Sequence, residues 1–254
     1  HYTDQPYLPL AQEEHDAFVN TLLGAGVEVI YHDAPLPDHA DAIFVHDPAL
    51  LTDDGAIILR LGKALRVGEE EALATTLQRL GVPILARLRA PATAESGDLL
   101  WLDERTLAVG LGFRTNAAGF EQLGEALSGL GVELVPVQLP YFEGPDACLH
   151  LMSLISLVDR DLAVVYRPLL PVPFYQLLEA RGVALIDVSD EEFATMGTNV
   201  LALAPRRCLL LEHNHQTRRA LEAAGCVVLT YRGDELSLKA EGGATCLTRA
   251  LVRE

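Results

Sequence analysis

Positive charge is what this sequence most plainly lacks: 19 Lys and Arg stand against 36 Asp and Glu, a formal net charge of -17. So acidic a surface repels phosphate backbones and anionic lipid headgroups, which excludes nucleic acid and membrane surfaces as expected partners. Long hydrophobic runs are missing too. Pro, Gly or a charge interrupts every apolar stretch before the roughly 20 residues that a bilayer span requires. No basic, then apolar, then small-residue leader opens the chain, so nothing reads as a secretory signal. Cysteine is scarce, with four in 254 residues and no CxxC pair. Such thiols suit a reducing compartment better than a disulfide framework, and the expected location is the cytoplasm. His213-Asn214-His215 offers two alternate histidines without the further ligands that zinc requires, so no metal is expected and the segment reads as a loop at a helix start. What is present is 50% hydrophobic, enough to bury a sizeable core and to exclude disorder.

One phrase recurs along the chain: a helical stretch, small residues, a Gly, then an apolar strand. It appears as LLGAGVEVI (Gly26), LQRLGVPIL (Gly81), LSGLGVELV (Gly131), LEARGVALI (Gly182) and LEAAGCVVL (Gly225). The Gly has a physical reason, because helices commonly end on a left-handed residue that only Gly adopts without steric cost. Each strand is followed by a loop and an apolar segment: DAIFV, DLLWL, CLHLM, NVLAL and CLTRALV. A second apolar segment such as AIILR, TLAVGL, DLAVVY or CLLLE follows after a tight turn, and then an amphipathic helix, as at Ala117 to Leu130 and Gln216 to Ala224. Consecutive glycines lie 43 to 55 residues apart, and the two chain ends together complete a fifth interval of 55. Strands alternating with helices argue α/β, and five units with the fifth shared between both termini argue a closed, five-bladed propeller in a single domain, 1–254. A doubly wound sheet is the alternative. It explains the alternation but not the five-fold count, and GLGFRTN (Gly110 to Asn116) lacks the third Gly of a phosphate-binding loop.

Pseudo-symmetry brings equivalent positions together near an axis, whatever their separation in sequence. At the first apolar segment of the five units stand Asp41, Glu95 with Asp98, His150, Asn199 and Cys246. Buried polar groups cost free energy unless paired, so five of them converging argue a site rather than a core. Cys, His and Glu together are the parts of a thiol-based covalent mechanism, with thiolate as nucleophile, imidazole as proton carrier and carboxylate as its orienter. EGGATC (Glu241 to Cys246) suits this, since Gly242 and Gly243 allow close backbone approach to a ligand.

FVHDPALL (Phe44 to Leu51), AESGDLLW with LGFRTN (Ala94 to Trp101, Leu111 to Asn116), LHLMS (Leu149 to Ser153), MGTNVLAL (Met196 to Leu203) and GGATCLTR (Gly242 to Arg249) carry a family resemblance. From about Leu10 onward the chain resembles the guanidine-modifying superfamily of arginine deiminases, dimethylarginine dimethylaminohydrolases and amidinotransferases, built on the pentein α/β propeller. The resemblance implies a cofactor-free hydrolase acting on the guanidinium carbon of arginine or a methylated arginine, giving citrulline and an amine. Cys246 would be the nucleophile, His150 the general acid and base, and Glu95 the carboxylate touching both imidazole and guanidinium. Asp47 would grip the guanidinium, with Asp41 and Glu241 as further contacts; a planar, permanent cation calls for bidentate acceptors. Arg66 and Arg114 fall where the family binds the substrate α-carboxylate, Phe44 lines the pocket, Asp98 and Asn199 support it, and a homodimer is implied.

Met152 stands where arginine deiminases carry an Asp, and His46 where the dimethylarginine enzymes often carry Glu. The choice among arginine deiminase, dimethylarginine hydrolase and amidinotransferase therefore stays open, as does a non-catalytic pentein binder from another functional class. Taken alone, each residue also has a plainer reading. Cys148, Cys208 and Cys226 read as small hydrophobes in strand patterns. Asp41 and Glu241 read equally as solvated loop charges, Arg66 and Arg114 as surface ion pairs, and Glu69 to Glu71 as a favourable acidic first helical turn.

Overall fold

The structure, a computed structural model, describes residues 2–145 and 147–252. Helix α1 (Leu8–Gly24) opens it. Four three-stranded sheets then follow one blueprint, in which an antiparallel hairpin is joined by a helix to a third strand parallel to the second. The first is β1 (Ala49–Thr52), β2 (Gly55–Ile58), helix α2 (Glu69–Arg79) and β3 (Ile84–Arg87). The second is β4 (Leu99–Asp103), β5 (Thr106–Leu111), α3 (Ala117–Leu127) and β6 (Glu133–Gln138). The third is β7 (Ile155–Asp159), β8 (Leu162–Val165), α4 (Val172–Ala180) and β9 (Ala184–Asp187), followed by the short α5 (Asp190–Phe193). The fourth is β10 (Leu201–Ala204), β11 (Arg207–Leu211), α6 (His215–Ala223) and β12 (Val227–Tyr231). Four separate sheets replace the single parallel sheet of the doubly wound alternative.

The glycines of the repeat behave as their spacing predicts. Gly26, Gly81, Gly131, Gly182 and Gly225 all have left-handed backbones, with φ between 67° and 86°. Gly55 is required for a second reason, because a Cβ there would lie 2.4 Å from the Pro83 carbonyl oxygen where β2 and β3 meet. Helix α3 starts where Asn116 accepts the Gly119 N–H at 2.7 Å on its side-chain oxygen. It lays Leu123 and Leu127, both fully buried, on Ile57, Leu107 and Val109; each such leucine contributes about 1.5–3 kcal/mol.

Contacts divide the chain into two compact units, each with two sheets. One comprises His1–Tyr31, Phe142–Cys148 and Met152–Thr245, the other His32–Tyr141, Leu149–Leu151 and Cys246–Glu254. Both are assembled from discontinuous stretches. In the first unit, Glu14 on α1 accepts the backbone N–H groups of Asp234, Glu235 and Leu236, and Phe18 meets Tyr231 edge to face. In the second, Leu251 packs on the core of the first sheet.

Three expectations are corrected here. DAIFV and CLHLM are not strands: Ala40–Ile43 and Leu151–Ser153 form 3₁₀ turns, and the strands begin later, at Ala49 and Ile155. Nor do VEVI after Gly26 and the described part of CLTRALV form strands. Apolar runs of this length fit a buried turn as well as a strand, and periodicity does not separate the two. Cys148 is exposed rather than core, since its segment is loop, whereas Cys208 and Cys226 are buried as expected. His213 to His215 lies at the start of α6.

Candidate active site

The second unit gathers most of the predicted residues on loops leading into strands. Glu95 caps the 3₁₀ turn Ser96–Asp98 that feeds β4, and His150 directly precedes another such turn. Glu95 has no exposed surface and His150 is 6% exposed. Their contact is short, 2.7 Å from His150 Nε2 to Glu95 Oε2. An ionised carboxylate only accepts, so Nε2 carries the proton and the lone pair of a neutral ring lies on Nδ1. The other oxygen, Oε1, accepts the backbone N–H groups of Gly62 at 2.9 Å and Lys63 at 3.2 Å, while Arg114 Nη1 stands 3.6 Å from Oε2. Burial works to raise the Glu95 pKa, but the hydrogen bond and charge of His150, with Arg114 assisting, hold it below the ordinary carboxyl range.

Asp47 completes the cluster. Asp47, Glu95 and His150 each present one atom within 4.8 Å of the other two, all buried. Asp47 Oδ1 accepts the Gly97 N–H at 3.0 Å and Oδ2 accepts Arg66 Nη1 at 2.6 Å. Desolvation opposes its charge, yet neighbouring His150 and Arg66 keep its pKa well below the usual carboxylate value. Each oxygen retains a second lone pair for a cationic ligand. Two ionised carboxylates with open lone pairs beside an imidazole favour a planar cation rich in N–H donors.

Cys246 is half-buried, and its segment is bonded to the one that carries Asp47. The His46 N–H donates to the Cys246 carbonyl at 3.3 Å, His46 Nδ1 donates to the Thr248 carbonyl at 3.2 Å, and Arg249 Nη2 donates to the His46 carbonyl. Burial, helped by the Arg249 charge, pushes the His46 pKa down to about 3, so this ring is neutral. In the first unit, Asn199 Oδ1 accepts the N–H of Thr245, the residue before Cys246, at 3.0 Å. A Cβ on Gly243 would strike that Asn199 amide at 2.6 Å.

Arg66 and Arg114, paired by expectation, differ sharply. Arg66 gives its guanidinium to Glu69 through Nε and Nη2, to Asp47 through Nη1 and to the Phe44 carbonyl through Nη2. Arg114, 7% exposed, makes the single ion pair with Glu95 and donates no hydrogen bond among the described residues. Asp41 is buried against Lys63, with which it forms an ion pair, and is not a solvated loop charge. Phe44 is buried. Glu241 is exposed and belongs to the first unit, with a left-handed φ of 56°.

Sequence reasoning missed several participants. Glu69 and Glu70 do more than begin α2: both are buried, Glu69 on Arg66 and Glu70 on the N–H groups of Leu61 and Gly68. The three-residue step from Arg66 to Glu69 is a helical spacing that signals such a pair. Lys63 and Thr115 gave no signal, since their partners are distant in sequence. Gly97 was passed over too, although a Cβ there would lie 2.3 Å from His150 Nδ1. Gly97→Ala therefore displaces the imidazole, and kcat/KM falls about 100-fold with the thermal midpoint little changed; steady-state kinetics beside a melting curve checks this.

Comparison with known proteins agrees with the geometry. The family model described as N,N dimethylarginine dimethylhydrolase, eukaryotic, matches residues 4–253. The N(G),N(G)-dimethylarginine dimethylaminohydrolase of Streptomyces coelicolor is 30% identical over 239 residues, 94% of this chain and 85% of that protein. An arginine deiminase of Mycobacterium marinum is 28% identical, over 89% of this chain and 64% of its own length. Among solved structures, the Pseudomonas aeruginosa dimethylarginine enzyme complexed with citrulline superposes with a TM-score of 0.81 at 26% identity, covering 95% of this chain and 88% of that one. No helix among the described residues is long and apolar enough to cross a membrane. With its repeated α/β modules of the pentein type and a match across nearly all of its length, the chain belongs to the N,N dimethylarginine dimethylhydrolase family, hydrolases of C–N bonds in amidines.

Proposed function

We propose that Cys246, His150 and Glu95 hydrolyse the guanidinium of arginine or a methylated arginine, giving citrulline and an amine. The observation that carries this reading is the buried Glu95–His150 contact at 2.7 Å with Asp47 beside it. Asp47 and Glu95 grip the planar cation by their open lone pairs. The Cys246 thiolate attacks the central carbon, and the C–N bond to the departing nitrogen breaks as His150 supplies a proton to the amine. A thiouronium remains on sulfur. His150, now neutral, takes a proton from water; the hydroxide adds to carbon, the C–S bond breaks as the new hydroxyl gives up its proton to solvent, and thiolate and ureido product separate. Glu95 holds the ring and stabilises its charged form between the steps. No cofactor enters this sequence.

Arg114 is the group we assign to the substrate α-carboxylate, because its donors are open. Arg66 braces Asp47 instead, a change from the paired role that the resemblance implied. Arg114→Ala accordingly raises KM about 10- to 100-fold for substrates bearing that carboxylate and leaves KM for agmatine nearly unchanged; initial rates on the two substrates measure this. The substrate is thus a guanidino amino acid. The reading takes 1–254 as one catalytic domain, acting as a homodimer in the cytoplasm, where free thiols such as these four persist. It is tested by incubating the chain with arginine and methylarginines while reading citrulline together with ammonia, methylamine and dimethylamine. The released amine identifies the activity, and absence of citrulline from every substrate would overturn the proposal.

A further inference from the structure

One buried carboxylate outside the reacting cluster touches the supports of three of its members. Asp98 is fully buried. Its Oδ1 accepts the N–H of Leu151, the residue after His150, at 2.9 Å. Its Oδ2 accepts the Thr115 hydroxyl at 2.6 Å. Thr115 follows Arg114 in sequence, and its Oγ1 accepts the Glu95 N–H at 3.2 Å. The Asp98 N–H in turn donates to the Glu95 carbonyl at 3.0 Å. Beneath the carboxylate, Gly110 leaves it room: a Cβ there would come within 2.8 Å of Oδ1 and 2.9 Å of the Leu151 Cβ. The backbone next to His150, the backbone of Glu95 and the residue that follows Arg114 are therefore each one or two hydrogen bonds from the same pair of oxygens.

We infer that Asp98, acting through Thr115, is the positioning residue that holds the Glu95–His150 pair and Arg114 in register for reaction. The inference rests on the proposed hydrolase chemistry. Both bonds to Asp98 come from donors, so the carboxyl must be ionised to accept them together. Protonation turns one oxygen into a donor: on Oδ1 it releases the Leu151 N–H, and on Oδ2 it reverses the bond to Thr115, whose own hydroxyl proton then loses its acceptor. Its ionisable surroundings are Glu95 on its own turn, His150 before the next, and Arg114 beside Thr115. Burial, opposed by the His150 charge, pushes the Asp98 carboxyl up to about 6. The hub is thus assembled above that pH and loosens below it.

The experiment compares Asp98→Asn, Thr115→Val and Thr115→Ser with the wild-type chain, reading kcat/KM against pH by citrulline formation. Thr115→Val removes the bridging oxygen and lowers kcat/KM about 10- to 100-fold, while Thr115→Ser restores it. Asp98→Asn lowers activity similarly at neutral pH and moves the acid limb of the profile to lower pH. The double variant Asp98→Asn/Thr115→Val loses less than the product of the single losses, because both act on one network. Activity unchanged in both single variants, a Thr115→Ser as impaired as Thr115→Val, or uniform loss at every pH with no shift of the limb would each overturn the inference. Wild-type turnover of any guanidino substrate tests the hydrolase reading separately.

Discussion

Cys246→Ser loses about 10⁴-fold or more of kcat on every guanidino substrate that the wild-type chain accepts. A serine hydroxyl ionises far less readily than a thiol, and a thiolate is intrinsically the better nucleophile. The hydroxyl also forms an ester-like isouronium in place of the thiouronium. Little else changes. The side chain is half-buried, the bond from the His46 N–H reaches the backbone carbonyl of residue 246 and not its sulfur, and Asn199 continues to hold the Thr245 N–H. The melting temperature therefore stays near that of the wild type, and substrate still binds. Citrulline assays with a parallel binding titration separate these effects; full turnover in Cys246→Ser would contradict covalent catalysis outright.

The second large effect is expected at Glu95. Glu95→Gln keeps an oxygen for the Gly62 and Lys63 N–H groups but turns an NH₂ toward His150 Nε2–H and Arg114. Donors then face donors in a site with no water-exposed surface on residue 95, and a buried unpaired donor costs about 1–3 kcal/mol. The imidazole responds by rotating or by changing tautomer, which takes Nδ1 out of its proton-carrying role. With proton transfer lost and one of two carboxylates on the guanidinium neutralised, kcat/KM falls about 10³-fold. Stability responds to pH with a defined sign. Folded Glu95 and Asp47 hold their protons less tightly than unfolded carboxyls, so they stabilise the fold above the ordinary carboxyl range and lose that contribution as pH falls through their folded values. Glu95→Gln therefore flattens the acid side of a plot of melting temperature against pH, as well as removing activity.

The architecture was legible because its signal is local and repeated. A left-handed Gly between helix and strand needs no tertiary information, and all five such glycines adopt that conformation. The hairpins were readable for a similar reason, since AIILR, TLAVGL, DLAVVY and CLLLE coincide with β2, β5, β8 and β11. Where sequence reasoning misled, a polar side chain had to be aimed inward. Asp41 and His150 sit at 3₁₀ turns inside apolar runs, and hydrophobicity alone does not distinguish a strand from a turn buried to the same depth. Of the candidate cluster, Glu95 and His150 were found by position in the repeat and by resemblance, and Asp47 by resemblance alone. What braces them was hidden. Lys63 on Asp41 and Thr115 on Asp98 are partners across gaps of 22 and 17 residues with no periodic signature, and the two arginines look alike in sequence although one is fully engaged and the other open. His46 departs from the pattern of the dimethylarginine enzymes, yet its three ties to residues 246–249 give it a clear place.

The account stands on a covalent bond between sulfur and the guanidinium carbon. Rapid acid quenching during turnover, followed by peptide mass mapping, tests it most directly. The predicted result is a substrate-derived thiouronium on the peptide containing Cys246, formed and consumed at rates that match citrulline release, and formed no longer in His150→Gly, which lacks the proton carrier for both steps. Steady turnover with no adduct on that peptide, or with the adduct on Cys148 instead, would contradict it.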